Sequence, residues 1–233
     1  MPIPLLPHEV YRCYMVDAKS RLVAAEKVLR SLHPITGLAA LDMEFCFLQI
    51  RRIIECITFS AMVREAARYE ELRTIEGSAN KRDRGNAAKD WDAPKILKRL
   101  VAISPHALPI PISKATQQSE GLIHYDRRKI EVNHGRLIDL YKQCGGYMHG
   151  KNPLVADFAA LVEHDRRKYK GSPVQVRRAL DFLRMLLWNH AVVTLDWSNP
   201  GDPLSKDGPR AAWVLDFGAD EAHEILLIVA AAA

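Results

Sequence analysis

Apolar residues recur at helical spacing through the first third of the chain. Tyr14, Ala18, Leu22, Ala25, Val28 and Leu29 share one helical face, which predicts a helix over Glu9–Leu32, stopped by Pro34 and Gly37. A longer helix is predicted from Leu38 to Ile75. On a wheel of ~100° per residue its central polar residues form two opposed stripes. Asp42, Gln49, Ser60 and Arg64 lie on one side, Glu44, Arg51, Glu55 and Thr58 on the other, with Arg52 alone between them. One flank carries Met43, Phe47, Ile50, Ile54, Ile57 and Ala61, and the other Leu41, Phe45, Leu48 and Phe59. A helix apolar on both flanks is packed on both sides, so this one is expected at the centre of a helical bundle, with Phe47, Leu48, Ile50 and Ile54 in the core.

The pattern then breaks up. The polar, basic stretch from Gly77 to Asp90 reads as a loop. Asp90 can cap a short helix whose Ala93, Ile96, Leu97, Leu100 and Val101 share a face. Pro105, Pro109 and Pro111 make the next stretch extended, and Leu122–Val132 reads as two short strands. A helix from Arg136 is expected to end at Cys144, before Gly145-Gly146, and further helices over Asp157–Tyr169 and Val174–His190 are separated by Gly171 and Pro173. Beyond residue 190 the period changes from helical to alternating. Val193, Leu195 and Trp197, then Trp213, Leu215 and Phe217, read as a two-stranded ribbon around the Pro- and Gly-containing segment 198–210, with Ile225–Val229 either a third strand or a short helix. The expectation is a mainly α protein: a helical domain over residues 1–190 with a small β-ribbon appendage over 191–233.

Length and composition narrow the class. A chain of 233 residues, 48% hydrophobic and 26% charged, can bury a core without disulfide staples, which excludes a disordered chain, a collagen-like fibre and a disulfide scaffold. Cys13, Cys46, Cys56 and Cys144 contain no CxxC pair, and Cys46 and Cys56 sit in an apolar run, as expected of reduced thiols in a cytoplasmic protein. Met1-Pro2-Ile3-Pro4 has no signal-peptide pattern, and the apolar run Ile225–Ala233 is far short of the ~20 residues of a membrane span, so no membrane association is expected. The net charge of +5 is modest, but the cations come in pairs and triples: Arg51-Arg52, Lys81-Arg82, Arg127-Arg128-Lys129, Arg166-Arg167-Lys168 and Arg177-Arg178. Arginine pairs suit phosphate, because the guanidinium fork is bidentate; they also serve as plain solvated helix faces.

The chemistry is concentrated in two places. No metal or cofactor is expected, since there is no HExxH, no His/Cys cluster, no phosphate-binding glycine loop and no GxSxG elbow. Glu44, Arg51 and Glu55 lie along one face of the long helix and can alternate as ion pairs, either as a solvated ladder or as a charged cluster inside the bundle. The second place is Tyr141-Lys142-Gln143-Cys144-Gly145-Gly146-Tyr147-Met148-His149-Gly150-Lys151-Asn152-Pro153. There an imidazole follows a glycine pair, with Lys142 and Lys151 nearby and Asn152 able to fix its tautomer. Histidine both accepts and donates protons near neutral pH, so this turn suits phosphate binding or phosphodiester cleavage, or else His149 is an ordinary turn residue.

The run Leu48-Gln49-Ile50-Arg51-Arg52-Ile53-Ile54-Glu55, followed by a Cys-Gly-x-x-x-His-x-x-Asn-Pro turn, resembles the HEPN superfamily, over residues Leu38 to Pro153. The resemblance implies a helical core, a dimer, and metal-independent ribonuclease activity of the kind found in toxin–antitoxin and phage-defence systems. The family motif is an arginine followed four to six residues later by a histidine. His149 matches the histidine; upstream of it, across six intervening residues, stands Lys142, and Arg51 or Arg52 is the candidate to supply the guanidinium in space. In this reading His149 is the general acid/base, Lys142, Arg51 and Arg52 neutralise phosphate, Glu55 orients the arginine, and Glu44, Lys151 and Asn152 support binding. RNA is then the expected partner. The competing expectation is a non-catalytic interaction or regulatory subunit with a protein partner.

Overall fold

The computed structural model describes residues 6–79, 86–104, 106–117, 123–130, 132–148, 163, 169–195 and 210–231. Pro7 opens the first helix, α1 (Pro7–Arg30), where a missing N–H does no harm, and the Glu9 carboxylate accepts the Leu6 N–H at 2.9 Å. The next helix, α2 (Ala39–Arg64), is followed after a single residue by α3 (Ala66–Ala79). The helix expected over 38–75 is therefore two helices. The break is at Glu65 (φ −99°, ψ 21°), where the Arg64 and Glu65 side chains both turn inward and pair at 3.1 Å. Arg64 also donates to the His106 carbonyl at 2.8 Å, so the end of α2 is tied to the segment after the next helix.

That helix, α4 (Ala93–Ile103), is capped by Asp92, which accepts the Lys95 N–H, and not by Asp90. Pro94 in the first turn fixes the start, and Asp90 is engaged elsewhere, with Tyr69, Arg73 and Arg99. Strands β1 (Ile110–Pro111), β2 (Thr116–Gln117) and β3 (Ile123–His124) follow; β2 and β3 pair as a small hairpin. Helix α5 (His134–Met148) runs straight through Gly145-Gly146 instead of stopping at Cys144. Neither glycine takes a positive φ, and the last turn is anchored by Tyr147, whose ring stacks on Phe47 at 3.7 Å. Helix α6 (Ser172–Leu187) leads directly into β4 (Asn189–Leu195), then β5 (Arg210–Asp216) and β6 (Leu226–Ala231). Most of the helix expected over 157–169 lies outside the described residues.

The result is a mainly α fold with a small antiparallel sheet in the order β1-β4-β5-β6. Of the segment Ile225–Val229, residues 226–229 are strand, within β6, and the sheet recruits β1 from mid-chain, with Ile110 opposite Ala191 and Pro111 opposite His190. The boundary expected at residue 190 falls inside β4.

Helix α2 packs against α1, α4, α5 and α6, and Phe47, Ile50, Ile53, Ile54 and Ile57 are fully buried. This explains how one polar stripe is accommodated in the interior. Asp42 accepts the Ile35 and Thr36 N–H groups at 2.8 and 3.0 Å, Gln49 accepts from Arg21, and Ser60 bonds to a carbonyl of its own helix, as Thr58 of the opposite stripe also does. Leu48, expected in the core, is 42% exposed. It lies about 40° from Arg52 on the wheel, and Arg52 faces solvent. A second polar group joins the sheet to α1: the Tyr11 hydroxyl bonds His190 Nε2 at 3.0 Å, while His190 Nδ1 donates to the Leu187 carbonyl at 2.7 Å. The Lys19 ammonium is enclosed by the carbonyls of Phe217, Ala222 and Glu224.

Candidate functional site

Three of the residues singled out from the sequence meet on α2. Glu55 is the hub. Its carboxylate lies 2.6 Å from Arg52 Nη1 and 3.4 Å from Arg51 Nε, the i,i+3 and i,i+4 pairs that helical geometry allows. Its third partner comes from α5: the Tyr141 hydroxyl donates to Glu55 Oε1 at 3.1 Å. Two cations and one phenol thus converge on a carboxylate that is only 13% exposed.

Arg51 is held on a second side. Its guanidinium lies 4.1 Å from the centre of the Tyr141 ring, a cation–π contact. One turn further along α5, a Cβ placed on Gly145 would stand 3.6 Å from Arg51 Nη1, so the guanidinium lies against that glycine. The turn motif by itself gives Tyr141 no role, although a tyrosine on the apolar Leu137–Ile138–Cys144 face of a helix signals a buried ring that needs a partner for its hydroxyl. Burial and the negative charge of Glu55 push the Tyr141 phenol up to about 12, with Asp92 adding to the same effect, so at neutral pH it is a donor and not a base. Burial likewise pushes the Cys144 thiol up to about 12, which makes it a packing residue and not a nucleophile.

Glu44, two turns before Arg51, is engaged separately, accepting a hydrogen bond from the Tyr169 hydroxyl. Lys142 is exposed, and no contact among the described residues joins it to Arg51, Arg52 or Glu55. His149, Lys151 and Asn152 lie outside the described residues. His149 follows Met148, the last residue of α5, and is four residues past Gly145. The end of α5 is fixed from the other side by Gln175 of α6, which accepts from Tyr147 at 2.6 Å and from Gln143 at 3.0 Å.

The cluster therefore offers two arginines of different kinds. Arg51 is pinned by a carboxylate and an aromatic face, so its position is set before any ligand arrives. Arg52, about half exposed at its side chain, has one ion pair among the described residues and can exchange that partner for a phosphate oxygen. Among the described residues no three His, Cys, Asp or Glu side chains are gathered to hold a metal, and no helix is long and apolar enough to cross a membrane. No protein-family model matches this chain, and neither a curated protein nor a solved structure matches it, so its fold and geometry carry the functional argument.

Proposed function

We propose that this protein binds RNA at the corner where Arg51 and Arg52 of α2 meet the end of α5, and that it cleaves RNA there without metal. The observation that carries the reading is the seat of Arg51 against Gly145. It joins the charged face of α2 to the turn of helix that leads into His149, two features nearly 100 residues apart in the chain. The HEPN-like reading belongs to this proposal: α2 and α3 are its central helical element, the C-terminal strands its β-ribbon, and a homodimer its working form. In RNA the neighbouring 2′-hydroxyl supplies the nucleophile, so the protein has to neutralise the phosphate and move a proton. Arg51 and Arg52 do the first, with Glu55 orienting them; His149 does the second, flanked by Lys142, Lys151 and Asn152.

The test is incubation of the pure protein with mixed RNA in the presence of a chelator, beside Arg51→Ala/Arg52→Ala and His149→Ala variants. Binding is expected to fall steeply with salt, with a shallower slope in the arginine variant, because each neutralised phosphate releases counterions. Cleavage is expected to vanish in His149→Ala while binding persists. Absence of RNA binding at low salt overturns the proposal. It would favour the second reading, a docking subunit, which has its own support in the exposed side chains of Leu38 at the N-cap of α2 and of Leu41 and Leu48 along it.

A further inference from the structure

Asp92 caps α4 with its carboxylate, so Trp91, the residue before it, stands outside the helix with its ring turned away from the core. It is 77% exposed, and among the described residues no ring or cation stacks on it. Trp91 lines a cleft of about 390 Å³ together with Arg73, Lys89, Asp90, Lys95 and Arg99. That volume lies within the range of small-ligand sites, which run from roughly 300 to 1,000 Å³.

The floor of the cleft is rigid and its charges are spent. Arg73 reaches Asp90 and Glu76, each at 2.8 Å. Arg99 reaches Glu76 at 2.9 Å and Asp90 at 3.4 Å, and Tyr69 donates to Asp90 at 2.7 Å. Two arginines and two carboxylates neutralise one another there. The rim is different. Lys89 is exposed, and among the described residues Lys95 has one ion pair, a long, solvent-exposed contact with Asp92 at 3.4 Å. A neutral, braced floor, a lysine rim and an open indole face together suit a flat, apolar group that carries negative charge beside it. That is a nucleobase with its phosphate. The buried core of a protein interface, by contrast, is depleted of charged residues, whereas charged side chains line this cleft on every side.

Helix α4, which begins at the cleft, packs against both α2 and α5, the two helices that form the arginine corner. We infer that Trp91 is a stacking platform for one base of single-stranded RNA, with Lys89 and Lys95 on the adjoining phosphates, on a path that continues to Arg51 and Arg52. The inference rests on the RNA-binding reading and narrows it to single strands, because a duplex keeps its base faces covered.

The experiment is a titration of the full chain into a fluorescent single-stranded RNA and into its duplex, over a range of salt. Four proteins are compared: wild type, Trp91→Ala, Trp91→Phe and Lys89→Ala/Lys95→Ala. Trp91→Ala should weaken single-strand binding by about 5- to 150-fold without changing the salt slope. Trp91→Phe should keep most of the affinity, and duplex binding should be indifferent to either. The lysine pair should flatten the single-strand slope by about 1.4, two phosphates at ~0.7 each. Wild-type protein that binds no RNA overturns the RNA reading and this inference with it. RNA binding that Trp91→Ala leaves unchanged, or weakens equally for duplex, overturns the stacking platform alone. Loss in Trp91→Ala that Trp91→Phe fails to restore overturns it too, since a phenyl ring still offers a face.

Discussion

Replacing Glu55 by Gln keeps the shape of the hub and removes its charge. Three contacts weaken at once. The Arg52 contact is short, but its arginine is about half exposed, so it is worth about 0.2–1 kcal/mol. The Arg51 contact is longer, at 3.4 Å, and belongs to the same range. The Tyr141 hydroxyl, buried with its ring, loses a charged acceptor, a bond worth about 1.5–3 kcal/mol. The amide oxygen of glutamine recovers part of this, so the expected net loss is about 1.5–3 kcal/mol. Urea unfolding followed by circular dichroism measures it, and thermal melting should show a fall of about 3–12 °C for a domain of this size. Tyr141→Phe should cost less, and the double variant should cost less than the sum of the two singles, because both remove the same hydrogen bond. A Glu55→Gln protein within 0.5 kcal/mol of wild type, on the order of a neutral surface change, refutes the hub. So does strict additivity with Tyr141→Phe.

Ile54 is fully buried, so Ile54→Ala should cost about 2–5 kcal/mol in urea unfolding; a loss under ~1 kcal/mol would mean the centre of α2 is not packed as described. Gly145 is helical and its added Cβ would meet Arg51 at an ordinary 3.6 Å, so Gly145→Ala should stabilise by about 0.5–1 kcal/mol. Lowered RNA affinity in that same, more stable protein would show that the glycine serves Arg51 and not the helix. Burial depresses His190 from 6.5 to about 4, with Arg64 opposing its charge as well. The unfolded chain therefore takes the proton first, and the stability due to neutral His190 is complete above pH 6.5 and is lost as pH falls towards 4. Between pH 7.5 and 5 this amounts to about 2 kcal/mol, and His190→Gln should flatten that part of the pH profile.

What the sequence made legible was local. α1 and α4 bury one face each, and their spacing announces both. The Arg51–Glu55 and Arg52–Glu55 pairs follow from i,i+4 and i,i+3 spacing alone. What escaped were consequences of partners distant in the chain. Asp42 and Arg64 look like solvent-facing residues until Ile35, Thr36 and His106 are seen to use them. Tyr141 gains its role from a carboxylate 86 positions away. Gly145-Gly146 looked like a helix stop on propensity, which the Tyr147 anchors on Phe47 and Gln175 override. β1, two residues long, exists only because β4 is there to pair with it.

The carbonyl cage around Lys19 bears on how the chain is made. Its ligands lie 198 to 205 positions further along. During synthesis α1 is formed long before Phe217, Ala222 and Glu224 leave the ribosome, and throughout that interval the ammonium has only water as its partner. Burying that ammonium without its acceptors is costly, so the surface of α1 around Lys19 stays hydrated until the turn between β5 and β6 arrives to cover it, although α1 and α2 can already pack together. A message truncated before that turn should yield a chain whose first helix keeps an open, hydrated face at Lys19.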